Sequence, residues 1–134
     1  MATKLDDLLS YQHQALSLRA HRQQILAANI ANADTPNYKA RDIDFTAALK
    51  NAMAGRSDGL ELARTAPGHL AGGAGAGPAP LLYRKNTQSA VDGNTVDMDV
   101  ERSQFAENAV HYEAGITFIT GRLKTMLSAI QGNQ

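Results

Sequence analysis

Phe105-Ala106-Glu107-Asn108-Ala109-Val110-His111-Tyr112-Glu113-Ala114-Gly115-Ile116-Thr117-Phe118-Ile119-Thr120-Gly121-Arg122-Leu123-Lys124-Thr125-Met126-Leu127-Ser128-Ala129-Ile130 is the stretch that decides the fold. Within it Phe105, Ala109, Tyr112, Ile116, Ile119, Leu123, Met126 and Ile130 recur at alternating intervals of four and three. An apolar residue every 3.5 positions, on average, lays one stripe of a helix against a neighbouring helix. The spacing predicts a single helix over residues 99–131. Asp97 and Asp99 are candidate N-caps, and with Glu101 they set negative charge at the positive end of the helix dipole. Lys124 sits toward the other end, where a cation is favoured. Gly115 and Gly121 lie off the stripe, at a cost of about 1 kcal/mol each relative to Ala.

The other end of the chain has a weaker version of the same pattern. Leu5, Leu9, Leu16, Leu26, Ile30 and Ala33 share one stripe, interrupted by Gln12, Arg19 and Gln23, and predict a helix over residues 4–33. Leu8, Leu18 and Ile25 lie to one side of it, so the apolar face is wider than a two-stranded seam needs. Pro36 disfavours helix at Thr35, and Asn37 tolerates positive φ, so the helix stops here. Each helix is about 45 Å long at 1.5 Å per residue. Pairing the two leaves outer apolar residues uncovered, which helices from other copies or other proteins would cover.

The middle reads differently. Residues 46–53 suit a short helix, Leu81-Leu82-Tyr83 a short strand, and Asp92-Gly93-Asn94 a turn. Ala71 to Pro80 is a Gly/Ala/Pro tract with too little apolar surface to offset the entropy of ordering it. The expected fold class is mainly α, with long N- and C-terminal helices paired as a coiled coil. Residues 1–45 and 98–134 form one domain, and 46–97 form an irregular or short-β central segment.

Composition narrows the function. Thirteen basic residues balance thirteen acidic ones, with no basic block to neutralise nucleic-acid phosphates. There is no cysteine, which excludes disulfides and thiolate chemistry. Aromatics make up 5% of the chain, and much of its apolar content is Ala, a poor basis for a compact enzyme core. Gly72, Gly73, Gly75 and Gly77 do not fit a phosphate-binding loop. His13, His21, His69 and His111 lack metal-ligand spacing. Asp42 and Asp44, like Asp97, Asp99 and Glu101, adjoin helix ends or turns where capping accounts for them. No catalytic, cofactor-binding or metal-ligating set emerges, and no apolar run reaches the length of a membrane span.

The segment Leu18 to Phe45 contains Ala28-Asn29-Ile30-Ala31-Asn32-Ala33-Asp34-Thr35-Pro36-Asn37-Tyr38. It resembles the N-terminal signature of bacterial flagellar rod and hook proteins, A-N-N/I-x-A-N-x-x-T-P-G-Y. Ala40-Arg41-Asp42-Ile43-Asp44-Phe45, Leu82-Tyr83-Arg84 and the run from Asp92 to Asp99 are similar to the proximal rod members of that family. Where the family usually has Gly, this chain has Asn37, the next-best residue for the left-handed region. The resemblance implies a structural subunit of the proximal rod of the flagellar basal body. Its terminal helices would assemble into a tubular drive shaft for motility. It implies export, unfolded, through the flagellar type III apparatus to the periplasmic space, without a cleaved signal peptide. The implied partners are other copies of the chain, other rod proteins, and the inner-membrane ring with its rod adaptor. Nucleic acid, small-molecule substrates and cofactors are not implied.

Asn29, Asn32, Thr35, Pro36 and Tyr38 match the motif and are the expected assembly residues. The two Asn amides would bond to free backbone carbonyls or to a neighbouring subunit. Phe45 and Leu49 have the aromatic-x-x-x-apolar form that resembles an export-gate recognition signal. The alternative reading is a soluble coiled-coil adaptor or export chaperone outside any polymer, which would have the same seam without surplus apolar faces.

Overall fold

The computed structural model describes residues 4–54, 78–84 and 91–132. In chain order these form α1 (Lys4–Ala31), β1 (Arg41–Asp42), α2 (Phe45–Met53), β2 (Leu82–Tyr83) and α3 (Met98–Gln131). The architecture is mainly helical, with long terminal helices and one small antiparallel strand pair. In that pair Arg41 faces Tyr83 and Asp42 faces Leu82. The Gly-rich tract to Gly77 and His69 lie outside the described residues.

The long helices run antiparallel. Along α1, Leu16, Arg19, Gln23 and Asn29 meet Gly115, Asn108, Phe105 and Glu101 of α3 in turn, so one numbering rises as the other falls. A Cβ on Gly115 would come within 2.8 Å of Leu16 Cδ2, so this glycine lies on the α1–α3 seam. Gly121 faces open space.

The second face of α1 is covered by the middle of the chain. Leu18 and Ile25 cluster with Ile43, Ala48 and Ala79, and Phe45 and Leu49 pack against them. The central segment therefore supplies core, which its composition does not suggest. Ala48 on α2 and Ala79 before β2 are too small to give a visible hydrophobic period, yet both are buried in this cluster. Asp44 caps α2 by accepting from the Ala47 N–H at 3.0 Å. Asp97 caps α3 by accepting from the Asp99 and Val100 N–H groups.

The end of α1 is closed from a distance. The side-chain amide of Asn94 donates to the carbonyls of Asn32, Ala33 and Thr35 at 3.1, 2.6 and 3.0 Å. Asn37 follows with φ +60, and its N–H bonds to the Asp92 carbonyl at 2.9 Å. Gly93 faces it with φ +72, and a Cβ there would meet Asn37 Oδ1 at 2.7 Å. Gly93→Ala is expected to cost roughly 1–2 kcal/mol from backbone strain alone, with the contact added. In an Asn37→Gly background thermal unfolding should show the contact part recovered. Equal losses in both backgrounds would remove Asn37 from the account.

Candidate functional site

Asn29 is wholly buried and joins three elements. Its amide donates to the Arg41 carbonyl at 2.7 Å and to Glu101 Oε2 at 3.2 Å. Its Oδ1 accepts from the Arg41 N–H at 3.1 Å and from the Tyr38 hydroxyl at 3.3 Å. The side chain thus behaves as an added peptide unit that pins β1 to α1, and α3 to both. Tyr38 Oη also accepts from Arg41 Nη2 at 3.4 Å.

Around it lies an ion network of alternating sign. Arg22 grips Asp42 through two bonds of 2.9 Å, the bidentate geometry that a guanidinium and a carboxylate favour. Arg84 bonds Asp42 Oδ2 at 2.8 Å and Glu101 Oε1 at 2.7 Å. Gln104 Oε1 accepts from both arginines. Two cations and two anions from α1, β1, the residue after β2, and α3 meet in one place.

Burial pushes the Asp42 carboxyl up, but the two guanidiniums and the Ile43 N–H outweigh it and hold it below its ordinary value. Burial pushes Glu101 up, and Asn29 and Arg84 offset only part of that. The two groups therefore act oppositely on stability. The folded protein takes up a proton at Glu101 as pH falls from neutral toward 4.5, so stability rises in that window. Asp42 contributes stability that is lost as pH falls below 3.8 through its lowered pKa. The thermal midpoint is expected to peak on the acid side of neutral. Glu101→Gln should abolish the rise, and an unchanged profile in that variant would refute the assignment.

The remaining motif residues sit at the exit from α1. The Asn32 amide donates to the Ala28 carbonyl at 2.8 Å, and the Thr35 hydroxyl donates to Asn32 Oδ1 at 3.1 Å. Pro36 is exposed beside them. Asn29 and Asn32 both bond within the chain, Asn29 to other elements and Asn32 to its own helix. Phe45 and Leu49 pack against the core on α2, with the Arg19 guanidinium 4.4 Å from the Phe45 ring centroid.

The long stripe on α3 divides in this structure. Glu101, Asn108 and Gly115, seven apart, meet α1 directly. Phe105, Ala109, Ile119 and Met126 are half-buried. Tyr112, Ile116, Leu123 and Ile130 are exposed, Ile130 to 82%. The contact line lies to one side of the apolar stripe, because polar Glu101 and Asn108 and the small Gly115 occupy its centre. On α1, Leu26 is fully buried, and Leu9, Leu16 and Ile30 are half-buried. The Leu5 side chain lies outside the described residues.

Arg22, Arg84, Glu101, Gln104, Asn94 and Asn108 were not singled out as a site by sequence. One signal was available. Leu18, Arg22, Ile25 and Asn29 follow a four-three-four spacing, so Arg22 and Asn29 interrupt a buried stripe and need partners. Among the described residues no His/Asp/Glu group could hold a metal ion, and no helix is long and apolar enough to cross a membrane. His111 lies 3.8 Å from Glu107 on an exposed face.

Comparison with known proteins bears on this arrangement. Residues 10–39 match the family model described as flagella basal body rod protein. The chain is 52% identical to the flagellar basal body rod protein FlgB of Salmonella typhimurium, covering 98% of this chain and 99% of that one. It is 53% identical to FlgB of Proteus mirabilis, covering 98% of each chain. It is 47% identical to FlgB of Escherichia coli, again covering 98% of each.

Proposed function

This chain belongs to the FlgB family of flagellar basal body rod proteins, and on that premise we propose that it builds the proximal part of the rod. It is a structural subunit of the flagellar basal body rod, a device for motility. The finer reading is ours. The subunit stands in the periplasmic space, against other copies, other rod proteins, and the inner-membrane ring with its adaptor. It arrives unfolded through the type III export apparatus, with no cleaved signal peptide, and works without catalysis.

The observation that carries this reading is the exposed apolar side of α3. Ile116, Leu123, Leu127 and Ile130 leave too much apolar surface uncovered for a chain that ends its life as a monomer. The motif residues act indirectly. Asn29, Asn32, Thr35, Pro36 and Tyr38 fix where α1 stops and how the central segment folds back, and so set which flank of the helix pair stays open. Phe45 and Leu49 would be legible to an export gate only before folding, because folding packs both against α1.

Deleting the gene should leave membrane rings without a rod and abolish swimming, with both restored by the wild-type gene. Ile130→Asp separates assembly from folding. The residue is 82% exposed, so the purified variant should unfold within about 0.5 kcal/mol of wild type. It should still be secreted, yet fail to build rods. Normal swimming in this variant would take the α3 flank out of the assembly.

A further inference from the structure

We propose that successive copies of this chain join by a heterologous contact in which an apolar ridge on α3 of one copy seats in a groove on the opposite flank of the next. The ridge is Ile116, Leu123, Leu127 and Ile130. The groove lies between α1 and α3 and is lined by Tyr11, Ala15, Leu16, Gly115 and Phe118, with Arg19 and His111 at its wall. This proposal rests on the rod-subunit reading and adds the pairing of faces.

At 100° per residue, Phe118 and His111 fall on one side of the line through Glu101, Asn108 and Gly115. The ridge residues fall on the other side. The two patches are therefore different surfaces of one helix pair. A two-fold contact must place the same patch on both partners, whereas a ridge on one flank and a groove on the other propagate from copy to copy.

The groove has a physical origin. The flank of α1 that carries Leu18 and Ile25 is covered by the α2 cluster. That cover ends where Phe45 meets Arg19, and the flank continues past Ala15 to Tyr11, bounded on the α3 side by Leu16. Gly115 lets the helices close to contact at Leu16, which forms the floor. The groove volume is ≈ 230 Å³. An apolar cavity of about 150 Å³ takes up a benzene molecule, so there is room for one or two aliphatic side chains. Tyr11 and Phe118, 51% and 76% exposed, would be covered by the incoming helix.

Charge selects the same occupant. Arg19 touches Asn108 Oδ1 at 3.5 Å and the Phe45 ring, and among the described residues it forms no direct ion pair, its nearest acidic influence being Glu107, which lies against His111. Glu113 is exposed and lies one turn before Ile116 at the head of the ridge. A ridge arriving from a second copy brings that carboxylate to the groove that holds Arg19.

The chain has no cysteine, so engineered thiols report the contact without background. Ala15→Cys and Leu123→Cys, carrying different tags, are co-expressed in cells lacking the gene. Intact basal bodies are then isolated and mildly oxidised. The expected result is a disulfide-linked species carrying both tags, at least tenfold above either same-tag dimer, since a disulfide forms only between Cβ atoms about 4 Å apart. Ala15→Cys with Ile130→Cys serves as a second pair should the first not build rods. Same-tag Leu123→Cys dimers, a cross-link to a different rod protein, or no cross-link in intact rods would each overturn the pairing. Swimming under reducing conditions reports the rod role separately. A wild-type gene that fails to restore rods would instead sink the reading on which the pairing rests.

Discussion

Asn29→Asp, a change of one amide to a carboxylate of the same shape, is expected to destabilise the protein by about 4 kcal/mol at neutral pH. Asn29 is fully buried, and its amide donates to the Arg41 carbonyl and to Glu101 Oε2. The substitution removes both donors and sets a second anion 3.2 Å from Glu101 in a site closed to water. The Arg41 carbonyl is left without the Asn29 donor. For a chain of this size the loss lowers the thermal midpoint by on the order of 10–20 °C. The deficit has a signature. The new carboxyl has a raised pKa in the fold, so the folded state binds its proton more tightly than the unfolded state does. Stability is then regained as pH falls through that raised value. Asn29→Ala removes the same hydrogen bonds without adding a carboxyl, so its gain on acidification should be the smaller one that Glu101 alone supplies. A midpoint for Asn29→Asp within a few degrees of wild type at pH 7 would mean that Asn29 is not the hub its contacts describe. Motility should follow stability, because β1 is tied to the helix pair through this residue.

The helices were readable because their signal is local. Four-three spacing over residues 105–130 and the Pro36–Asn37 stop each lie within a few turns of chain, and α1 and α3 end within two residues of the boundaries the sequence suggests. The hub was not readable, because its members are far apart. Arg22 and Asp42 are separated by 20 positions, Asp42 and Arg84 by 42, and Asn29 and Glu101 by 72. Nothing in a single sequence pairs residues at such distances. Asp42 and Glu101 looked like helix-end charges, as Asp44 and Asp97 in fact are. What distinguishes them is the partners other elements bring, Arg22 and Arg84 on Asp42, and Asn29 and Arg84 on Glu101. The core cluster was hidden in part because it includes Ala48 and Ala79, whose small side chains do not announce a buried position.

Arg84→Met should cost about 3–5 kcal/mol, the range expected when one partner of a buried ion pair is removed. Asp42 would keep its bidentate grip from Arg22, but Glu101, with no exposed surface, would lose its ion pair and keep the Asn29 amide and the more distant Arg22 charge. Arg84→Lys is expected to recover little, because one ammonium does not reproduce a planar fork that reaches Asp42, Glu101 and Gln104 at once. The informative variant is the double one. Glu101→Gln removes the stranded charge, so Arg84→Met with Glu101→Gln should cost about 1–3 kcal/mol less than the sum of the single losses. Urea unfolding of the four proteins gives this coupling directly, and strict additivity would show that the two side chains do not act on each other. The outcome also bears on why a weakly packed chain spends its interior on ions. Buried ion pairs are poor sources of net stability, but they are intolerant of misalignment. Here they sit where the residue after β2 must find β1, α1 and α3 together. The apolar contacts of the central segment, small alanines among them, constrain register less tightly than such a network. On the proposed reading, a network that closes in only one register fixes the angle at which the central segment meets the helix pair, and so sets which flank of α1 and α3 the next subunit would meet.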